Sequence, residues 1–146
     1  MQLPRHLVLL EHGRRALADG LRRVGAAHRA EPDVVSVGHT LAALLDSHRE
    51  TLVRMLARYP LREDPPGPDA VPPVPASGTL VADLHDLHTL GAWLEVAWAI
   101  AGQSARALRD DDLRELADRG VEDAERCRRW LRGRIDQAAP QTMLLE

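Results

Sequence analysis

From Leu3 onward the apolar residues fall at Leu3, Leu7, Leu10, Leu17, Leu21 and Val24, in steps of four and three, with Arg14 in the one missing place. That spacing predicts an amphipathic helix over residues 3–29 whose seam packs at a shallow angle in a bundle. Glu31-Pro32-Asp33 breaks and restarts the chain. Proline suits the first helical turn, and Asp33 places negative charge at the positive end of a helix dipole. A second run, Val34, Val37, Leu41, Leu44, His48, Leu52 and Met55, predicts a helix over 33–58. So short a gap predicts that these two helices form an antiparallel hairpin.

Tyr59-Pro60 ends the second helix, and seven prolines follow between Pro60 and Pro75. A linker over 59–78 is therefore read as extended polyproline chain. At roughly 3 Å per residue it is long enough to cross a helix of about 40 Å. The third helix is predicted over 79–108, on Leu80, Leu84, Leu87, Gly91, Leu94, Trp98, Ala101, Ala105 and Leu108. The fourth is predicted over 111–138, opened by an Asp112/Glu115 capping box and stopped by Pro140. Its seam is Leu113, Leu116, Gly120, Ala124, Cys127, Leu131 and Ile135. Glycines at 91, 102, 120 and 133 inside helices each cost up to about 1 kcal/mol against alanine. Bulky Trp93, Trp98 and Trp130 supply a reason, so at least one glycine is expected to seat an indole. The apolar tail after Pro140 is expected to fold back onto the bundle, with a place in a partner's groove as the alternative. No strand pattern competes. The expectation is one all-α domain over 1–146, a four-helix bundle of two antiparallel helical hairpins joined by a long proline-rich crossover.

Composition changes this picture little. All 19 basic residues are arginine, and phenylalanine and asparagine are absent, as GC-rich codon usage would produce. A net charge of −3 argues neither for nor against a polyanionic partner. The single Cys127 excludes an intrachain disulfide and falls on an apolar face, where an inert buried thiol is expected. Acids at the start of the fourth helix and arginines at its end complement the helix dipole, so no nucleic acid is expected as partner. No stretch suits a signal peptide or a membrane span, which makes a cytoplasmic location the default.

Polar residues at or beside the seam carry what chemical signal there is. Arg14 and His48 occupy seam positions, and a buried polar network of Arg14 and His48 is one expectation. Glu11, Glu95 and Glu125 lie one step aside, with Glu122 a turn before Glu125. Folding each hairpin about its turn puts all of these near mid-height. One acid or imidazole per helix at one level is how di-iron carboxylate bundles are built, with Glu-x-x-His pairs on two of the helices. Glu11, His48, Glu95, Glu122 and Glu125 are therefore the candidate metal ligands, for iron or manganese. The pattern departs from that template where Leu45 stands for a glutamate and Glu125 for a histidine. His85 and His88 are three apart, not at the spacing a hemerythrin-type site needs.

The segment Arg29-Ala-Glu-Pro-Asp33, His28, His48 and the stretch Trp130-Leu131, Ile135 and Ala139-Pro140-Gln141 resemble the ferritin-like superfamily, in particular small uncharacterised members from high-GC bacteria. The resemblance covers both hairpins but not the proline linker. It implies an up-down-down-up bundle in which the long connection leaves the second and third helices parallel. It does not imply a known activity for this branch.

No nucleophile elbow, phosphate loop or catalytic triad pattern is present, so a non-enzymatic role is expected, with no cofactor. The first reading is a ferritin-like bundle lacking a complete di-iron site that acts as a binding or scaffold protein, on a protein partner or as a homo-oligomer. The alternatives are an iron- or manganese-binding bundle with a degenerate carboxylate/His site, and a small-ligand carrier with a pocket beside Trp93 and Trp98.

Overall fold

The computed structural model describes residues 1–75 and 78–145, and positions 76 and 77 of the expected linker lie outside the described residues. The described chain is all helical: α1 (Leu3–Ala27), α2 (Pro32–Asp46), α3 (Arg49–Arg58), α4 (Leu80–Leu108) and α5 (Asp111–Leu145), with one 3-10 turn at Pro68–Ala70. Four helical rods pack together, α2 and α3 forming one rod interrupted at Ser47-His48. The first rod touches the second and α4, and α5 touches α4 and the second rod.

The α1 seam behaves as its spacing predicts, since Leu3, Leu7, Leu10, Leu17, Leu21 and Val24 are all buried, and so is Arg14. In the second rod Leu45, not Leu44, is the fully buried residue. Leu41, Leu45, His48, Leu52 and Met55 keep steps of four and three, so Leu45 falls on the seam. At the end of α2 Ser47 Oγ donates to the Leu44 carbonyl at 2.5 Å, and Ser47 N–H is shared between the Ala43 and Leu44 carbonyls at 3.1 and 3.2 Å. Deprived of its i−4 acceptor, His48 N–H turns to the Leu45 carbonyl at 3.2 Å. Such serine back-bonding tightens and bends helices, so the helix expected over 33–58 is two helices with His48 at the joint.

Two expectations about α5 are corrected. Its N-cap is Asp110, whose Oδ1 accepts from Leu113 N–H at 3.1 Å, and Asp112 is already inside the helix. Nor does Pro140 stop it: the helix runs on to Leu145, and the tail does not fold back. Proline removes one N–H and frees the carbonyl four residues earlier, at Asp136. Asp136 is exposed, so water can satisfy that oxygen. Met143, Leu144 and Leu145 stand 68%, 80% and 82% exposed.

Glycine allows close approach at two places. A Cβ on Gly120 of α5 would overlap the fully buried Trp98 indole of α4, and one on Gly13 of α1 would overlap the Trp93 ring. The expected glycine–indole seating is thus present in the core. The linker runs along α1 rather than away from it. The Pro66 carbonyl accepts from His12 Nε2 at 2.8 Å and the Val74 carbonyl from Arg23 at 3.1 Å, while Val74 packs on Gly20.

Candidate functional site

The polar residues of the seam meet at mid-height, but in two separate clusters. Arg14, 2% exposed, sends Nε and one terminal nitrogen to the two Glu11 oxygens at 2.8 and 2.7 Å, and the other to Asp46 Oδ1 at 3.0 Å. Asp46 Oδ2 in turn accepts from Arg22 at 2.6 Å. Burial pulls Arg14 down, but its bonds to Glu11 and then Asp46 outweigh this and hold it above its ordinary value. Burial likewise works against the Asp46 charge, and Arg22 and Arg14 overcome it, leaving its carboxyl below the usual range.

The second cluster is His48 with Asp123, Nε2 to Oδ2 at 2.7 Å. An ionised carboxylate only accepts, so against it Nε2 must carry the ring proton. Burial dominates the imidazole and lowers its pKa; Asp123 opposes that shift, and Arg119 and Arg14 add to it. The Trp98 indole stands edge-on to the ring at a centroid distance of 5.9 Å. Trp98 Nε1 is buried with no partner among the described residues. One turn further along α5, burial and then Asp123 push the Cys127 thiol up to about 12, which keeps it protonated and unreactive.

The candidate metal ligands are dispersed among partners of their own. Both oxygens of Glu11 are on Arg14, Glu95 accepts from Arg128 at 2.7 Å, and Glu125 pairs with Arg129 at 2.6 Å along α5. Glu122 lies exposed on α5. Only His48 faces the bundle interior with a carboxylate, and that carboxylate is Asp123. Among the described residues, no group of three or more His, Cys, Asp or Glu is arranged to hold a metal ion. Trp93 and Trp98, beside which a ligand pocket was expected, are each seated on a neighbouring helix's glycine.

Asp46, Asp83 and Asp123 are not among the candidate residues that the sequence pattern singles out. Asp123 was detectable: it is three residues after Gly120 and four before Cys127, both seam positions, so it shares their face. Asp83 is 1% exposed and binds His28 Nε2 at 2.7 Å while its other oxygen accepts from Gly78 N–H at 3.1 Å. This second His–Asp pair pins the end of α1 to the start of α4. His28 also lines a cleft of about 330 Å³ with Arg134, Gln137 and Gln141 of α5.

No family model, curated protein or solved structure matches the chain. Among the described residues no helix is long and apolar enough to cross a membrane.

Proposed function

We propose that the chain is a ferritin-like bundle without a complete di-iron centre, acting as a non-enzymatic binding or scaffold protein. The up-down-down-up order is supported by how contact positions run. Along α1, partners on the second rod fall from Asp46 at Arg14 to Val35 at Gly25, and partners on α4 fall from Ala97 at His6 to Asp83 at His28. Along α5, partners on α4 fall from Gly102 at Ala117 to Glu95 at Arg128, and those on the second rod from Arg58 at Asp112 to Glu31 at Arg134. Four antiparallel neighbours of this kind leave α2 parallel to α4, as the crossover length allows.

The observation that carries the functional reading is the commitment of Glu11, Glu95 and Glu125 to arginines. A carboxylate that already neutralises a guanidinium must give up that pair to ligate iron or manganese, and the freed cation then repels the metal. The exposed apolar residues at the end of α5, with Val96 and Ile100 one turn apart on α4, favour a second copy or another protein as what is bound.

Elemental analysis after reconstitution of untagged protein with Fe(II) and Mn(II) tests the metal side. Trace metal is expected; a stoichiometric equivalent retained through gel filtration, and lost in His48→Ala or Glu11→Gln, would establish the degenerate metal site instead. Sedimentation velocity tests the binding side. Self-association that Leu144→Asp weakens supports the homo-oligomer, and a monomer at every concentration restricts the reading to a different protein partner.

A further inference from the structure

The outer side of the Arg14 cluster is open. A groove of about 460 Å³ between α1 and the second rod is lined by Arg14, Arg15, Asp19, Arg22, Asp46 and Arg49. Four guanidiniums line it against two carboxylates, and with Glu11 paired to Arg14 beneath the floor the excess is one positive charge. The residues lining the groove are all charged and none is aromatic.

The six groups differ in what they have left to give. Arg14 is the floor: buried, with three nitrogens committed to Glu11 and Asp46, it supplies field rather than free donors. Asp46 is a strut, each oxygen taken by one arginine, which fixes Arg14 and Arg22 beside each other. Arg22 otherwise touches Asp19 at 3.7 Å, and Arg15 touches Glu11 at only 3.6 Å. Arg49, at the first position of α3, makes no ion pair among the described residues. Arg15 and Arg22 are seven residues apart on α1, which places them on one face about 10 Å apart along the axis. Arg22 gives one nitrogen to Asp46, while the side chains of Arg15 and Arg49 make no hydrogen bond among the described residues, so guanidinium donors remain around one groove, two side chains on α1 and one across it on α3.

The geometry points to a binding site for a small anion with more than one phosphoryl group, held by Arg15, Arg22 and Arg49 over the Arg14–Asp46 floor. Guanidinium forks match the paired oxygens of a phosphoryl group, and two such groups suit donors separated along a helix better than one does. This inference stands on the groove and goes beyond the bundle's topology and the fate of the metal site.

Isothermal titration of the full chain with pyrophosphate, and with inorganic phosphate for comparison, is the test. Saturable binding is expected, tighter for pyrophosphate and weaker as added salt shortens the Debye length from about 10 Å at about 0.1 M toward about 3 Å at about 1 M. Arg15→Gln and Arg49→Gln change exposed residues, and each is expected to weaken pyrophosphate about tenfold, the loss of one charge-assisted contact. Arg132→Gln, an exposed arginine on α5, is the control and is expected to leave the affinity unchanged. Failure to saturate, equal affinities in Arg15→Gln, Arg49→Gln and the parent, or equal weakening by Arg132→Gln would overturn the site. Tighter capture of a single-stranded oligonucleotide than of pyrophosphate, by the same arginines, would replace the small anion with a nucleic-acid backbone and overturn the proposal as stated.

Discussion

His48 Nε2 and Asp123 Oδ2 lie 2.7 Å apart across 75 residues of chain, and both residues are buried. The pair is the middle of three polar ties between the second rod and α5. At one end Arg134 holds Glu31 and Asp33; at the other Arg58 and Tyr59 hold Asp110. The α4–α5 contact combines the packing of Trp98 on Gly120 with ion pairs of Arg128 to Glu95 at 2.7 Å and Arg106 to Asp118 at 3.7 Å.

The middle tie makes stability depend on pH near neutrality. Burial sets the folded His48 pKa below its ordinary value of about 6.5, so the unfolded chain takes up that proton first. The contribution is fully present above about pH 6.5 and is lost as pH falls through the folded value. His88, lowered by burial and by Arg128, Arg132 and His85, acts in the same window with the same sign. The depressed carboxyls of Asp46 and Asp110 act lower, below about pH 4. Urea unfolding between pH 5 and 8 in His48→Gln should show a shallower slope than the parent, and His88→Gln provides the comparison. An unchanged slope in His48→Gln would mean that His48 does not titrate between the folded and unfolded states.

Gly120 and Gly133 should respond oppositely to alanine. Both gain up to about 1 kcal/mol of helix propensity. At Gly120 the new Cβ overlaps an indole that is fully buried and has nowhere to move, at a cost of about 1–3 kcal/mol. At Gly133 nothing lies within 4 Å. Thermal melts should therefore place Gly120→Ala below the parent and Gly133→Ala above it. A stable Gly120→Ala would show that Trp98 can reseat.

Arg14 is a buried cation whose removal strands Glu11. Arg14→Met is expected to cost about 2 kcal/mol in urea unfolding. That is less than the about 3–5 kcal/mol of a dry ion pair, because Asp46 is 43% exposed and regains water. Adding Glu11→Gln should recover part of the loss, since the stranded charge goes with it. If the double variant is no better than the single one, packing of the arginine stem rather than charge is what the first variant lost.

Tyr59 is the only tyrosine, so its ionisation can be followed by absorbance alone. Burial, then its hydrogen bond to Asp110 at 2.5 Å, raises its pKa above the ordinary value of about 10. Asp110→Ala should bring the midpoint down and, by removing the α5 cap as well, cost about 2 kcal/mol. Tyr59→Phe leaves the cap in place and should cost about 1 kcal/mol. Equal losses in the two variants would remove the cap from the account.

The four rods and the α1 seam were legible because a period of 3.6 is written over many residues. Leu7, Leu10 and Leu17 sit where it puts them, whereas Leu44 gives its place to Leu45 and Leu108 at the end of α4 stands 43% exposed. The kink at His48 was not, since a mid-helix serine bonds back only if its rotamer allows. The site was legible in its level but not in its members. Glu122 and Glu125 have the charge of ligands but lie off the buried face, where Glu125 reaches a surface arginine. Asp123, shorter and on the face shared by Gly120 and Cys127, is the acid that points inward. Arg14 was legible as buried, whereas its pairing with Asp46 depended on how the first two rods align.

Pro140 separates local from global stability. The proline is expected to end the helix, yet the helix continues through it, and the missing N–H frees the carbonyl of Asp136, an exposed residue. In Pro140→Ala that carbonyl regains an N–H and the ring's clash with the preceding turn disappears, a local gain of up to about 3 kcal/mol. Little of it should reach global unfolding, because Met143, Leu144 and Leu145 bury almost nothing. Amide exchange should therefore slow sharply from Gln141 to Leu145 in Pro140→Ala while the urea midpoint barely moves. A midpoint that rises by the full local gain would mean that the end of α5 unfolds with the core, and so is held by more than its own hydrogen bonds.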